Sequence, residues 1–164
     1  MGSLILVEGP DKAGKTTLAK RLSYLLGWHY LHTGPAPDLN KAFEHNLNAL
    51  LVYRDKVVID RLHLSTRVYG PIFHNQNLLS TYDIEVLEGL LRSKKAMVVY
   101  CRPPSDIMDA QLEEVDDPYE SLALANVVRE SYDSLMRKRD DVYHYDYTTA
   151  NALGRLLKWI EGSI

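Results

Sequence analysis

Residues 8 to 17 read E-G-P-D-K-A-G-K-T-T, and this is the most informative stretch of the sequence. Residues 9–16 fit the phosphate-binding pattern G-x-x-x-x-G-K-[ST], in which backbone N–H groups surround a phosphate. An unbroken apolar run, residues 4–7, comes before the pattern, as expected of a buried parallel strand. A helical pattern follows, and the positive N-terminal end of a helix attracts anions. The sequence therefore predicts a loop that binds a nucleoside triphosphate between a strand and a helix.

The residues of this loop have different expected roles. Lys15 is expected to neutralise the outer phosphates, and the Thr16 hydroxyl is expected to hold Mg²⁺. The donor triphosphate is expected to contact the whole motif, which comprises Gly9, Pro10, Asp11, Lys12, Ala13, Gly14, Lys15, Thr16 and Thr17. A chance match to the pattern is the alternative, and the strand and helix patterns on either side argue against it.

Composition and charge narrow the class of protein. The 164 residues carry a net charge of −3, so the basic surplus typical of proteins that bind polymeric nucleic acid is absent. The single cysteine, Cys101, excludes an internal disulfide and suits a reducing compartment. The N-terminal apolar run is too short for a signal peptide, and no segment reaches the length of a membrane span. By elimination we expect one cytoplasmic domain over residues 1–164, with no membrane partner.

Five apolar runs alternate with helical patterns along the chain. The predicted strands are residues 4–7, 28–31, 57–60, 96–101 and 142–145. The predicted helices are residues 15–26, 39–53, 62–69, 81–91, 119–137 and 150–161. This alternation predicts an α/β fold with three layers, in which helices cover both faces of a five-stranded parallel sheet. Ligands of such folds bind at the carboxyl ends of the strands.

The third predicted strand ends in the second informative motif, V-V-I-D-R at residues 57–61. Asp60 is expected to hold the metal ion, through a water molecule, and Arg61 to clamp a phosphoryl oxygen. A helix N-cap aspartate beside a surface arginine is the alternative, since aspartate is a favoured cap. The phosphate-binding loop earlier in the chain favours the metal role.

The segment continues as D-R-L-H-L-S-T-R-V-Y-G over residues 60–70, and here the chain resembles a known family. It is similar to the thymidylate kinases and their relatives among nucleotide and deoxynucleoside kinases, whose opening E-G-x-D/E-x-x-G-K-T-T is matched at residues 8–17. Their segment D-R-Y-x-x-S-x-x-A-Y is matched at Asp60, Arg61, Ser65 and Tyr69. Residues 127–132, V-V-R-E-S-Y, resemble the end of the family, so the resemblance spans nearly the whole chain.

The resemblance implies a nucleotide kinase-like P-loop NTPase fold and a deoxynucleoside monophosphate kinase. ATP with Mg²⁺ is then the expected donor, nucleotides are the expected partners, and dTMP is the leading acceptor. Asp11 is expected to bond the acceptor sugar, and Arg61 with Arg67 to hold the transferring or accepting phosphate. Tyr69 joins them as an expected substrate contact. A homodimer is compatible with the resemblance, although the sequence does not give the oligomeric state.

The chain also departs from the family pattern in the part that binds the acceptor. The family has T-R-E-P after the second strand, where the arginine grips the acceptor phosphate, whereas residues 32–35 here read H-T-G-P. Phe43 is the expected stacking residue for the acceptor base, and a place in the helix core is its alternative. The missing arginine motivates a second hypothesis, a kinase of a deoxynucleoside or another small alcohol. Asp60 is the obvious base for that reaction.

The resemblance also bears on the source of the catalytic cation. A lid is expected over residues 103–120, and residues 103–128 contain neither lysine nor arginine. The acidic residues of this stretch are Asp106, Asp109, Glu113, Glu114, Asp116, Asp117 and Glu120. An acidic lid is repelled by a triphosphate. Some members of the family carry this cation inside the phosphate loop, and by that resemblance Lys12 is expected to contact the transferring phosphoryl group. A solvated Lys12, with Arg61 alone in this role, is the alternative.

A nucleotide-dependent switch without an acceptor is a hypothesis of another class. The guanine-reading N-K-x-D motif is absent, because residues 40–43 read N-K-A-F, and adenine is therefore the expected donor base. The histidines add little at this level. His29 and His32 are three apart on a strand, so they lie on opposite faces and do not share a metal. His63 and His74 are expected at the surface, and a place facing the acceptor cleft is the alternative.

Overall fold

The apolar runs form the central sheet of the protein, which we describe from a computed structural model covering residues 4–112 and 122–164. Its strands are β1 (Leu4–Glu8), β2 (His29–His32), β3 (Val57–Asp60), β4 (Met97–Cys101) and β5 (Val142–Tyr145). All neighbouring strands pair in parallel, in the order β2-β3-β1-β4-β5. The strand that leads into the phosphate loop therefore lies at the centre of the sheet.

Helices cover both faces of this sheet. They are α1 (Lys15–Leu26), α2 (Ala42–Val52), α3 (His63–His74), α4 (Thr81–Ser93), α5 (Ser105–Leu112), α6 (Leu122–Met136) and α7 (Ala152–Ser163). Alternate residues of β1 enter opposite cores, since Leu6 packs with α2, α3, α4 and α6 while Ile5 packs with α1 and α7. The three-layer α/β fold that the sequence predicts is confirmed. Among the described residues, no helix combines the length and apolar content that crossing a membrane requires.

Three helical segments differ from the prediction. Residues 39–53 begin as a 3₁₀ turn, Leu39–Lys41, before α2 starts. Helix α3 runs past Pro71 to His74 and closes on Asn75, whose left-handed backbone donates its N–H to the carbonyl of Gly70. Helix α5 lies in the first part of the expected lid, where the sequence predicts only loop. Residues 113–120 of that lid lie outside the described residues.

Two glycines fix the course of the phosphate loop. Gly9 has φ of 150°, and a Cβ at this position would lie 2.4 Å from the carbonyl oxygen of Cys101 at the end of β4. Gly14 has φ of 82° and forms the N-cap of α1. Any larger residue at Gly9 would push the loop away from the sheet. The loop therefore lies directly over the carboxyl ends of the strands.

Candidate active site

Lys15 opens α1 and lies across the phosphate loop. Its side chain is buried, and its ammonium donates a hydrogen bond to the carbonyl oxygen of Pro10. Burial, followed by the positive charge of Arg61, lowers the pKa of Lys15 to about 8. Lys12, also in the loop, adopts a left-handed backbone with φ of 63°. Two of the expected phosphate-binding cations thus belong to one short turn at the N-terminus of a helix.

Thr16 and Asp60 meet at the corner between α1 and β3. The hydroxyl of Thr16 donates to Oδ2 of Asp60 at 2.6 Å. Asp60 is fully buried, and its Oδ1 has no hydrogen-bond partner among the described residues. In the described part of the chain there is no group of three or more acidic, histidine or cysteine side chains that could hold a metal. A hydroxyl and one carboxylate fit Mg²⁺, which usually completes its coordination with phosphates and water.

Two residues of β2 also reach this carboxylate, and the sequence analysis missed both contacts. The Tyr30 hydroxyl and Nδ1 of His32 each lie 3.1 Å from Oδ2 of Asp60. Burial, followed by the charge of Asp60 and this hydrogen bond, raises the pKa of Tyr30 to about 12. His29 lies elsewhere and stacks on the ring of Tyr53 at 4.4 Å. The parallel register, which pairs His32 with Asp60, is the signal that could have revealed the contact.

Arg61 and Tyr69 hold Asp11 of the phosphate loop between them. Nη2 of Arg61 donates to Oδ1 of Asp11 at 2.8 Å, and the Tyr69 hydroxyl donates to Oδ2 at 2.9 Å. Burial acts to raise the pKa of Asp11, but Arg61 and Lys15 outweigh it and the pKa is lowered. Arg61 has a left-handed φ of 70°, and its backbone N–H donates to the carbonyl of Val7 at 3.0 Å. The corner after β3 is therefore tied to both β1 and the loop.

Glu8 accepts hydrogen bonds from the N-terminal end of α3. Its fully buried carboxylate accepts hydrogen bonds from the backbone N–H of Leu62 and the hydroxyl of Ser65, both at 2.7 Å. The hydroxyl of Tyr132, on α6, lies 3.3 Å from Oε2. Burial raises the pKa of Glu8. A carboxylate at a helix N-terminus is a favourable anion, so Glu8 connects β1, α3 and α6 beneath the site.

Two cavities large enough for a ligand lie on opposite sides of the sheet centre, one lined in part by the phosphate loop and the other by Arg61 and Tyr69, which bond Asp11 of that loop. The larger, of about 660 Å³, lies towards β5 and is lined by Lys12, Gly14, Thr17, Leu18, Arg21, Gln111, Tyr145, Tyr147, Thr149, Asn151, Ala152 and Leu153. The smaller, of about 240 Å³, lies towards β2 and β3 and is lined by Thr33, Gly34, Pro35, Arg61, Leu62, Ser65, Thr66, Tyr69, Phe73 and His74. The loop thus separates two spaces that could each take a ligand.

Several predicted residues lie away from these cavities. Phe43 packs against the core on the α2 side, and Phe73 is the phenylalanine that lines the smaller cavity. Arg67 lines a separate cavity of about 420 Å³, because its position on α3 turns it away from the loop. Neither Phe43 nor Arg67 therefore lines either of the two cavities beside the loop. The expectation that His63 is exposed is wrong, since it is fully buried and bonds Glu88 at 2.7 Å.

Two carboxylates of the expected acidic lid, Asp106 and Asp109, lie within the described residues. Asp109, on α5, pairs with Nη1 of the nearly buried Arg129 at 2.7 Å. Residues Glu113, Glu114, Asp116, Asp117 and Glu120 lie outside the described residues. Arg129 directly follows residues 103–128, the stretch without lysine or arginine. At least one lid carboxylate therefore faces a cation of α6.

One curated protein with a clear sequence similarity is the SPbeta prophage-derived uncharacterized protein YorR of Bacillus subtilis strain 168. The two are 32% identical over 122 residues, which is 71% of this chain and 72% of YorR. No family model matches the sequence. The crystal structure of YorR in complex with phosphorylated GDP superposes with a TM-score of 0.81 at 24% identity, covering 98% of this chain and 96% of that one.

Two kinases of known structure share the fold at lower identity. Deoxyadenosine kinase from M. mycoides, with products dCMP and a flexible dCDP bound, has a TM-score of 0.65 at 13% identity, covering 97% of this chain and 98% of that one. Thymidylate kinase from Candida albicans has a TM-score of 0.60 at 16% identity, covering 98% and 92%. These similarities establish a nucleotide kinase-like P-loop fold.

Proposed function

The chain belongs to the family of the prophage protein YorR, and we propose that it transfers the γ-phosphoryl group of ATP to a deoxynucleoside monophosphate. The observation that carries this proposal is the pair of cavities on either side of the phosphate loop. A hydrolysing switch needs one nucleotide pocket, whereas a transferase needs a second space next to the γ-phosphate. dTMP is the leading acceptor, by the resemblance of the motifs at residues 8–17 and 60–70.

The larger cavity suits the base and sugar of the donor. Lys12 and Gly14 of the phosphate loop form one end of it, so a nucleotide lying there would place its phosphates in the loop. Tyr147, which accepts a hydrogen bond from Gln111 at 3.0 Å, lies beside Gly14 and offers an aromatic face to a nucleotide in this cavity. ATP is the proposed donor because the guanine-reading motif is absent from the sequence.

Catalysis in this proposal consists of positioning and charge neutralisation. Lys15 and Lys12 approach the phosphates from the loop, and Arg61 approaches from the smaller cavity. Thr16 and Asp60 would hold Mg²⁺, which supplies positive charge to the β- and γ-phosphates when it is bound. Arg61 is fixed by Asp11 at 2.8 Å, so its guanidinium needs little reorganisation when negative charge moves between donor and acceptor.

An unphosphorylated deoxynucleoside is the second candidate acceptor, and the charge of the smaller cavity favours it. Arg61 is the one permanently charged residue among the described residues that line this cavity, and Asp11 already pairs with it. The hydroxyl of Thr33 is buried there without a hydrogen-bond partner among the described residues, so it is suited to a neutral polar group. Asp60 stays the proposed base for that reaction, because both oxygens of Asp11 already accept hydrogen bonds from Arg61 and Tyr69 and the pKa of Asp11 is lowered.

A panel of acceptors separates these proposals. ADP formation from ATP and Mg²⁺ would be measured with dTMP, dGMP, dCMP, dAMP and thymidine, and the Arg67→Ala variant would serve as the control for a cation outside the site. We expect dTMP to accelerate ADP formation in the wild type and in the control alike. Turnover with thymidine alone would select the second candidate. If no acceptor raised the rate above background hydrolysis, both proposals would be wrong and the switch hypothesis would replace them.

A further inference from the structure

We propose that Tyr30 and His32, on the edge strand β2, are positioning residues that orient the Asp60 carboxylate towards the divalent cation of the bound nucleotide. The inference rests on the proposed function only through that metal–nucleotide complex. It does not depend on which acceptor is phosphorylated. It concerns contacts that neither the loop motif nor the D-R motif predicts.

The hydrogen bonds of Asp60 are distributed unequally over its two oxygens. Oδ2 lies 2.6 Å from the Thr16 hydroxyl and 3.1 Å from both the Tyr30 hydroxyl and Nδ1 of His32. Oδ1 is buried and has no partner among the described residues. Since a carboxylate oxygen offers about two lone pairs, three donors saturate Oδ2. Oδ1 is then the oxygen left to face the cation or one of its water ligands.

The register of the sheet brings both β2 side chains to the same place. His32 pairs with Asp60 and Tyr30 with Val58, and side chains two apart on a strand share one face. Tyr30 is packed against the core formed with α1 and α7, and the Lys20 ammonium lies 5.8 Å from its ring centroid. The His32 side chain is 50% exposed. Tyr30 is therefore the anchored donor, and His32 covers the carboxylate on the solvent side.

Because Asp60 is buried, loss of one of these hydrogen bonds would change the orientation of its carboxylate. Because Asp60 is 0% exposed, water cannot readily replace a lost donor, and the carboxylate would turn until Oδ1 finds another partner. Residues that hydrogen-bond a metal-binding carboxylate typically change metal affinity by about 10- to 100-fold when they are removed. The same imidazole could instead bind the metal directly. The two roles use different nitrogens of the ring. Nδ1 faces Asp60 and donates to it, since an ionised carboxylate only accepts hydrogen bonds, whereas direct metal binding would use the second nitrogen.

The test is the affinity for Mn²⁺, a spectroscopic substitute for Mg²⁺, in the presence of a non-hydrolysable ATP analogue, followed by electron paramagnetic resonance. Tyr30→Phe keeps the ring and removes the hydroxyl, and His32→Ala removes the imidazole. His32→Asn keeps an N–H donor near the position of Nδ1 but removes the second nitrogen. His29→Ala is the control, since His29 is on the same strand but stacks on Tyr53. Affinity for the analogue in EDTA and the thermal unfolding midpoint report any general damage.

We expect Tyr30→Phe and His32→Ala to weaken Mn²⁺ binding by about 10- to 100-fold, with metal-free analogue binding unchanged. His32→Asn and His29→Ala should bind Mn²⁺ as the wild type does. Wild-type Mn²⁺ affinity in both Tyr30→Phe and His32→Ala would overturn the inference. A loss in His32→Asn equal to that in His32→Ala would also overturn it, in favour of direct metal binding. If the wild type bound the analogue but no Mn²⁺, the proposed metal site itself would be wrong, and a wild type that bound no analogue would contradict the proposed function.

Discussion

Oγ1 of Thr16 lies 2.6 Å from Oδ2 of Asp60, although 44 positions separate the two residues in the sequence. This contact joins the first turn of α1 to the end of β3. The contact brings together the phosphate-loop motif and the V-V-I-D-R motif, which are far apart in the sequence. The threonine hydroxyl donates its proton to the carboxylate and keeps its lone pairs for a cation.

Replacing Asp60 by asparagine should therefore damage the response to Mg²⁺. The amide keeps the size of the side chain but removes the negative charge, and we expect turnover to fall by roughly 10²-fold or more. The half-saturating Mg²⁺ concentration, measured at fixed ATP, should rise. Asp55→Asn, which changes an exposed carboxylate before β3, is the control. An unchanged Mg²⁺ response in Asp60→Asn would show that Asp60 only supports the corner.

Lys15 should make nucleotide binding dependent on pH. Its pKa is lowered to about 8 in the nucleotide-free protein, and bound phosphates favour the charged ammonium and raise that pKa. The complex therefore holds the proton more tightly than the free protein. The contribution of Lys15 is fully present below about pH 8 and is lost as the pH rises above it, by up to about tenfold in affinity per pH unit.

Calorimetric titration of an ATP analogue between about pH 7.5 and about pH 9.5 would measure this effect. Lys15→Met fills the same space without a charge, so its affinity should be low and nearly independent of pH over this range. Lys158→Met, which changes an exposed lysine of α7, should follow the wild type. A wild-type profile that stayed flat to the upper limit would contradict the assigned role of Lys15.

Lys12 should act on the transition state more than on ATP binding. Its place in the loop, at one end of the larger cavity, suits contact with the transferring phosphoryl group. In Lys12→Ala we expect kcat to fall far more than ATP affinity, because the contact strengthens as the phosphoryl group moves. Lys12→Arg should retain part of the rate. Since lysine, alanine and arginine all meet the same left-handed backbone at this position, backbone strain does not distinguish the three proteins. Equal kcat in Lys12→Ala and the wild type would remove Lys12 from the mechanism.

Variants of Phe73 and Phe43 form a matched pair that tests which phenylalanine contacts the acceptor base. Phe73 lines the smaller cavity, and its ring lies 5.4 Å from that of Tyr69, whereas Phe43 packs against the core. Phe73→Ala should raise the acceptor KM by about 2- to 12-fold, as loss of a stacking contact worth roughly 0.5–1.5 kcal/mol would. Phe43→Ala should lower the unfolding midpoint and leave the acceptor KM unchanged. The reverse pattern would restore Phe43 as the base-stacking residue.

The sequence predicts the sheet well because its signals are local. Strands β3 and β5 begin and end where the apolar runs do, and the phosphate loop is defined by its own motif. Helix boundaries are less certain where proline intervenes. The predicted helix ends at residue 69, before Pro71, yet α3 continues through Pro71 to His74. That extra turn is what brings Phe73 into the cavity beside Tyr69, so the helix boundary and the choice of phenylalanine were missed together.

Contacts between neighbouring strands could not be read from the motifs. Tyr30 and His32 reach Asp60 only because β2 pairs with β3 in one register, and a shift by one residue would turn both side chains to the other face. Arg67 shows the opposite case. The sequence expectation placed Arg67 with Arg61 at the phosphate, whereas α3 packs on α6 and Arg67 lines another cavity.

The fate of the γ-phosphoryl group shows whether the protein transfers this group to an acceptor or releases it to water. The protein would be mixed with ATP labelled in its γ-phosphate, Mg²⁺ and dTMP, and the labelled products would be separated and identified by mass. We expect the label to move to the acceptor, with little released as inorganic phosphate, and we expect Lys15→Met to abolish this transfer. Label that appeared only as inorganic phosphate, at the same rate with and without dTMP or thymidine, would contradict it.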